Sequence, residues 1–236
     1  ITTRLVGSEM CIRDRKISNK TKGEIGERKV AQILDQICDE NSHYINNLMI
    51  TSSSGYSTQI DHIYINQAGV FVIETKNYSG LIYGGEEQSD WTQYLGGKKY
   101  KIYNPLKQNN AHRQKIRDII GHYTPVFSLI VFAQNNAQMI YNKNVIGINE
   151  LRDTIEEHQN FVLSKGQIDD IYYKLLNIKA NPETSEERHI ENVKHIQKSV
   201  NHNICPLCGG TLVERISEYG TFYGCSNYPR CHFIKK

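Results

Sequence analysis

The sequence predicts an α/β (α+β) architecture: a mixed central sheet flanked by helices, with a small cysteine-bearing module after it. Three observations carry this. Segments with helical spacing, Thr21–Ile37 and Asn104–Tyr123, bracket a series of β-branched runs. The stretch Val126–Ala133 is continuously apolar, as in a strand buried on both faces. Four of the six cysteines crowd into the last thirty-two residues.

The elements follow in order. In TKGEIGERKVAQILDQI, Thr21 and Glu24 have the spacing of a capping box, and Val30, Ile33, Leu34 and Ile37 form the buried stripe. His43–Ile50 reads as a weak first strand. Gln59–Ile65 and Val70–Lys76 are stronger, joined by Asn66-Gln67-Ala68-Gly69 in a hairpin loop. SGLIYGG holds a short strand, and DWTQYLGGKKYKIY a hairpin turning at Gly96-Gly97. Asn104 caps a second helix with Pro105 in its first position. After Val126–Ala133, NVIGI gives a further strand. Asn149 is expected to cap a helix reaching about His158, and another spans Ile168–Leu176. From Asn181 the chain turns polar, with Ile190, Val193 and Ile196 at helical spacing, as in a helical connector. The expected organisation is a leader over 1–15, a main domain over 16–180, the connector over 181–203 and the cysteine module over 204–236. The leader contains LVGSEMCIRDR, which resembles a translated sequencing-adapter scar and is set aside from fold reasoning.

At 236 residues, with 39% hydrophobic and 22% charged, most of the chain can bury a core. No apolar run approaches the roughly 18 residues of a membrane span, and no secretory signal is visible. A cytoplasmic location is expected, with the nucleoid its site in a bacterial cell. The net charge of +3 is too small to argue for nucleic acid by itself.

The chemistry concentrates in QIDHIYINQAGVFVIETK. Glu74 and Lys76 are two apart on a strand and share a face. If the two strands pair as a hairpin, Asp61 comes to the same end of the sheet. Two carboxylates and the Thr75 carbonyl are hard oxygen ligands suited to Mg²⁺. A lysine beside the ion can position or deprotonate a water, while the ion polarises a phosphate. Glu27 borders the apolar stripe of the first helix and reads either as a helix-start carboxylate or as part of this site. Gln108 and His112, one turn apart, read either as a polar cap facing water or as leaning over the site. From Trp91 to Arg117 there is no Asp or Glu, while Lys98, Lys99, Lys101, Lys107, Arg113, Lys115 and Arg117 are all positive. Such local basicity suits a phosphate backbone.

GEIGER (Gly23–Arg28), QIDHIYI, GVFVIETKNYSG and NPLKQNNAH, in this order, resemble the nuclease-related domain (NERD) family over about Lys16–Leu151. That family is similar to PD-(D/E)xK nucleases of the restriction-endonuclease-like fold. The resemblance implies Asp61 and Glu74 as Mg²⁺ ligands, Lys76 as the catalytic lysine and Glu27 as a carboxylate ordering the site or a second ion. Gln108 and His112 match the Gln-x3-aromatic helix motif, with His in place of the usual Tyr, which leaves the role of His112 open.

Cys205-x2-Cys208 and Cys225-x5-Cys231, sixteen residues apart, are suited to tetrahedral Zn²⁺. So short a module has too small a core to fold unaided, so metal would supply its folding energy. CPLCGGTLVERISEYGTFYGCSNYPRC resembles the topoisomerase I-type C-terminal zinc ribbon, which implies binding to DNA, single-stranded or branched forms among its candidates. Tyr219, Phe222, Tyr223, Tyr228 and Phe233 read either as the packing of a tiny domain or as rings that stack on bases; Tyr223 and Tyr228 are the leading stacking candidates. The expected function is therefore an Mg²⁺-dependent DNA nuclease in DNA processing or repair, guided by a zinc ribbon. The alternative is a non-catalytic DNA-binding accessory protein that keeps the nuclease fold.

Overall fold

A computed structural model describes residues 19–51, 57–179, 181, 186–217 and 220–235. Cys11, the leader and Tyr219 lie outside the described residues. Helix α1 (Asn19–Ile37) leads into β1 (His43–Thr51), β2 (Ser57–Asn66) and β3 (Gly69–Lys76). Three short strands follow: β4 (Leu81–Tyr83), β5 (Asp90–Leu95) and β6 (Lys98–Tyr103). Then come α2 (Pro105–Ile120), β7 (Val126–Phe132), β8 (Val145–Gly147), α3 (Leu151–Glu156) and α4 (Lys165–Lys179). The connector is helix α5 (Glu186–Asn201), and the C-terminal module holds β9 (Leu212–Ser217), β10 (Gly220–Cys225) and β11 (Ile234–Lys235).

The main sheet has the order β1-β2-β3-β7-β8. The β1–β2 and β2–β3 pairs are antiparallel, and the β3–β7 and β7–β8 pairs are parallel. The sheet is therefore mixed, as the residue pattern implied. Its two faces make two cores. Ile63, Ile65, Val70 and Val72 pack with Ile116 of α2 and with Ile168 and Leu175 of α4. Tyr64, Phe71, Ile73 and Val131 pack with Val30 and Leu34 of α1 and with Leu151 and Ile155 of α3. The alternation of β3 is what lets one strand feed both layers.

Two local expectations change. Thr21 does not cap α1, because helix already runs from Asn19. Asn149 does not cap α3. It sits in a 3₁₀ turn over Ile148–Glu150, where Glu150 Oε2 accepts from the Gly147 N–H at 2.6 Å. The turn chemistry elsewhere is as expected. Gly96 and Gly97 have φ of 56° and 77°, which a two-residue hairpin turn requires. Asn104 accepts from the Leu106 N–H at 2.9 Å, and its amide donates to the carbonyls of Gly85, Glu86 and Gln88. One buried asparagine thus caps α2 and fastens the loop before β5.

Gly26 sets how closely α1 approaches the sheet. A Cβ there would lie 2.8 Å from Asn77 Cβ, 3.3 Å from Thr75 Cγ2 and 3.4 Å from Ala133 Cβ. Gly26→Val is therefore expected to lift α1 from the end of β3 and to destabilise the protein by about 1–3 kcal/mol. Chemical denaturation of wild type and variant side by side checks this.

Candidate active site and metal centre

The first site stands at the C-terminal end of β3. Beyond the His62–Ile73 pair, the side chain of Asp61 reaches across, and its Oδ2 accepts the Thr75 N–H at 2.9 Å. Glu74 is buried. Its Oε1 accepts from Lys76 Nζ at 2.7 Å and from Gln108 Nε2 at 2.7 Å. Lys76 Nζ also donates to Gln108 Oε1 at 3.1 Å, closing a three-membered ring of contacts. Glu74 Oε2 is buried with no hydrogen-bond partner among the described residues; His112 Nδ1 lies 3.4 Å away. His112 is itself buried, and its Nε2 meets Thr58 Oγ1 at 3.1 Å. Both Gln108 and His112 of α2 therefore turn onto Glu74.

Asn109 explains how α2 is held at that depth. It is fully buried, and its amide donates to the Val72 and Leu129 carbonyls and to Ser128 Oγ. Asn109 and Thr58 are absent from the sequence reading. Asn109 sits one residue after Gln108 and carried no signal beyond polarity; Thr58 carried none.

The electrostatics follow from crowding. Burial pushes the Asp61 carboxyl well above the ordinary range, and the neighbouring charges of Glu74 and Glu27 add to this, against the Thr75 N–H and Lys76. For Glu74 burial is the largest influence and acts upward, but His112 and Lys76 together outweigh it and hold the carboxyl low. Burial acts to lower the Lys76 ammonium, yet Glu74, Tyr78 and Asp61 hold it above its usual value. Glu27 is half-buried on α1 and contributes its charge to Asp61. His62, one residue along, is buried; its Nδ1 meets Asn46 Oδ1 at 2.8 Å, and desolvation lowers its pKa to about 4, so it stays neutral.

Two donor sets bear on metals. Asp61, Glu74 and the Thr75 backbone are suited to Mg²⁺, which takes one or two carboxylates and keeps its waters. Glu74 Oε2, which faces only His112 Nδ1 at 3.4 Å among the described residues, and the crowding of carboxylates around Asp61 fit a cation there. The crowding also predicts a trade. An Asp61 carboxyl raised in the folded state favours folding below its unfolded pKa, and that contribution is lost as pH rises through the folded value. Asp61→Asn is thus expected to raise Tm at neutral pH in EDTA, at about 2–4 °C per kcal/mol recovered. The gain should vanish near pH 4, and a melting series against pH reads it.

The second donor set is the four cysteines. Their sulfurs all lie within 4.8 Å of one another, and no other group of three or more metal-ligating side chains clusters so among the described residues. Cys205 and Cys231 sulfurs are 3.6 Å apart, and those of Cys208 and Cys225 are 3.3 Å apart. A tetrahedron with Zn–S of about 2.3 Å has edges near 3.8 Å, so these two edges lie close to that geometry. Asn227 supports two of them, its backbone N–H on Cys225 Sγ and its amide on Cys208 Sγ, both at 3.4 Å. Four cysteines in this arrangement fit a structural zinc ribbon.

The basic residues are placed less uniformly. Lys98, Lys99, Lys101 and Lys107 are exposed, whereas Arg113 is half-buried. On the ribbon, Tyr223 and Tyr228 are exposed, each with a cation beside its ring: Lys235 at 5.4 Å and Arg215 at 5.5 Å from the centroids. Phe222 and Phe233 are half-buried, and Phe233 packs against the cysteine cluster. Among the described residues no helix is long and apolar enough to cross a membrane.

Comparison with known proteins adds to this geometry. A family model described as nuclease-related domain matches residues 22–133, and one described as topoisomerase DNA binding C4 zinc finger matches 202–236. An uncharacterized protein of Bacillus anthracis is 33% identical over 177 residues, covering 73% of this chain and 84% of that protein. DNA topoisomerase 1 of Helicobacter pylori is 56% identical over 32 residues, which is 14% of this chain but 4% of the topoisomerase. The Escherichia coli protein YrdD is 49% identical over 35 residues, 15% of this chain and 19% of YrdD. The Helicobacter pylori match is thus about as long as the cysteine module and takes in only a small part of the topoisomerase.

Proposed function

The chain belongs to the nuclease-related domain family, and from that premise we propose that it is an Mg²⁺-dependent DNA nuclease of the PD-(D/E)xK kind, steered by its zinc ribbon. The observation that carries the reading is the convergence on Glu74 of Lys76, Gln108 and His112, with Asp61 fastened to the Thr75 backbone beside them. Asp61, Glu74 and the Thr75 carbonyl would hold the ion, which when bound polarises a phosphate and stabilises charge on its oxygens. Lys76 keeps its proton in this setting, so its ammonium orients the attacking water and offsets negative charge rather than abstracting a proton. Gln108 fixes the Lys76–Glu74 pair, and His112, tethered by Thr58, backs the second Glu74 oxygen. The exposed lysines of β6 and α2 supply the phosphate grip, and Tyr223 and Tyr228 offer rings to unpaired bases.

Purified protein is incubated with linear, circular and single-stranded DNA, in Mg²⁺ or EDTA, beside Asp61→Ala and Lys76→Ala. Mg²⁺-dependent degradation by wild type and its loss in both variants is the expected result. Equal degradation by all three proteins would sink the site. DNA bound with neither DNA nor RNA cut would favour the accessory role instead.

A further inference from the structure

A cavity of about 540 Å³ opens beside the site and shares Thr75 and Lys76 with it. Its floor is the start of α1, with Lys22 and Gly23, and its far wall is the β5–β6 hairpin, with Gln93, Leu95 and Tyr100. Gln93 pairs with Tyr100, and Leu95 with Lys98, so these four share one face of the hairpin. Farther along that face, Ile82, Trp91 and Ile102 anchor the small sheet against Ile130 and Phe132 of β7 and Val145 of β8, which leaves the tip with Leu95 and Tyr100 overhanging the cavity.

The walls are tied together. Asn77 Nδ2 donates to the Lys22 carbonyl at 2.6 Å, Lys22 Nζ to Ser79 Oγ at 3.3 Å, and Gln93 Nε2 to the Ser79 carbonyl at 2.7 Å. The cavity is therefore formed before any ligand arrives. Its lining includes two lysines and two tyrosines and no acidic residue. Cations with an aromatic wall suit a phosphate carrying a base, and a volume in the range of about 300–1,000 Å³ suits a small ligand. A base paired inside a double helix cannot enter it; an unpaired one can.

We propose that this cavity is a subsite for one unpaired nucleotide of a DNA strand, with the Tyr100 ring as its stacking surface and Lys22 and Lys98 beside its phosphates. The nuclease reading supplies the scissile bond next to it; the binding itself does not depend on that reading. The substrate class that follows is single-stranded DNA, including the unpaired arm of a branched molecule.

The test uses the full chain with zinc in place. Binding of a fluorescent oligo-dT and of a hairpin duplex is measured without added Mg²⁺ for wild type, Tyr100→Ala and Tyr100→Phe. Tyr100→Ala is expected to weaken single-strand binding by about five- to 150-fold, the range of one lost stacked base, with little change for the duplex and full retention in Tyr100→Phe. A single strand carrying 5-iodouracil should cross-link, on irradiation, to the peptide holding Tyr100. Unchanged single-strand affinity together with no cross-link in that peptide would overturn the subsite, as would equal weakening on single strand and duplex. Absence of metal-dependent cleavage with the Tyr100 effect intact would defeat the nuclease reading alone.

Discussion

Lys76→Ala is expected to lower metal-dependent DNA cleavage by about 10²–10³-fold, the usual worth of one preorganised group that stabilises charge in the transition state. The reason is geometric. Lys76 Nζ is held at 2.7 Å by Glu74 and at 3.1 Å by Gln108, so its place at the end of β3 is fixed on two sides. Removing it also leaves Glu74 buried with one cation fewer, which costs stability as well as chemistry. A loss of activity by itself would therefore not separate the two. Lys76→Met keeps the stem and most of the packing, and Lys76→Arg keeps the charge on a planar head that cannot sit in the same contacts. If all three variants melt cooperatively and none cleaves, the ammonium is required for the reaction. If Lys76→Met cleaves at the wild-type rate, the lysine is a structural partner of Glu74 and its catalytic role falls. Asp61→Ala should match the loss, while Asp61→Asn, which keeps an acceptor for the Thr75 N–H, should raise rather than lower the stability of the metal-free protein.

How far the sequence foretold this site depends on the kind of signal. Glu74 and Lys76 were legible because period-two alternation puts them on one face, and Asp61 because a hairpin brings its strand end opposite theirs. The helix pair Gln108 and His112 was legible as spacing, though not as contact; only the packing of α2 over β3 turns both onto Glu74. Asn109 was invisible because a buried asparagine and an exposed one look alike in a sequence. The same holds for the cavity wall: Tyr100 lies on a hairpin that reads as solvated, and its approach to Lys22, far away in sequence, is a tertiary event. The two corrected helix starts differ in kind. Side chains at Thr21 and Asn149 had the chemistry of caps, but Thr21 lies inside α1, which already runs from Asn19, and Asn149 lies in the 3₁₀ turn before α3.

Zinc removal is expected to unfold the C-terminal module and spare the first domain. The module has little else to hold it. Among its described residues the buried side chains are Leu212 and three of the cysteines, with Val200 and Phe233 packed partly against them. That apolar area is far below what a domain of this size needs, so the ordering of its chain must be offset by the metal. Four thiols gathered within 4.8 Å would repel one another once ionised unless a divalent cation sits among them. Structural zinc of this kind contributes about 10–16 kcal/mol of apparent binding free energy at pH 7, which is folding free energy here. The expected content is one zinc per chain. Stripping it, or making Cys225→Ser, should remove a separate thermal transition and expose residues 202–236 to protease, while the transition of the main sheet stays within about 1–2 °C. Cys38→Ser should do neither, since the Cys38 thiol bonds to Ser42, far from the module in sequence. A module that stays protease-resistant and retains its transition without metal would show that the cysteines are not zinc ligands, and would leave the ribbon's contribution to DNA binding to be explained by its exposed rings alone.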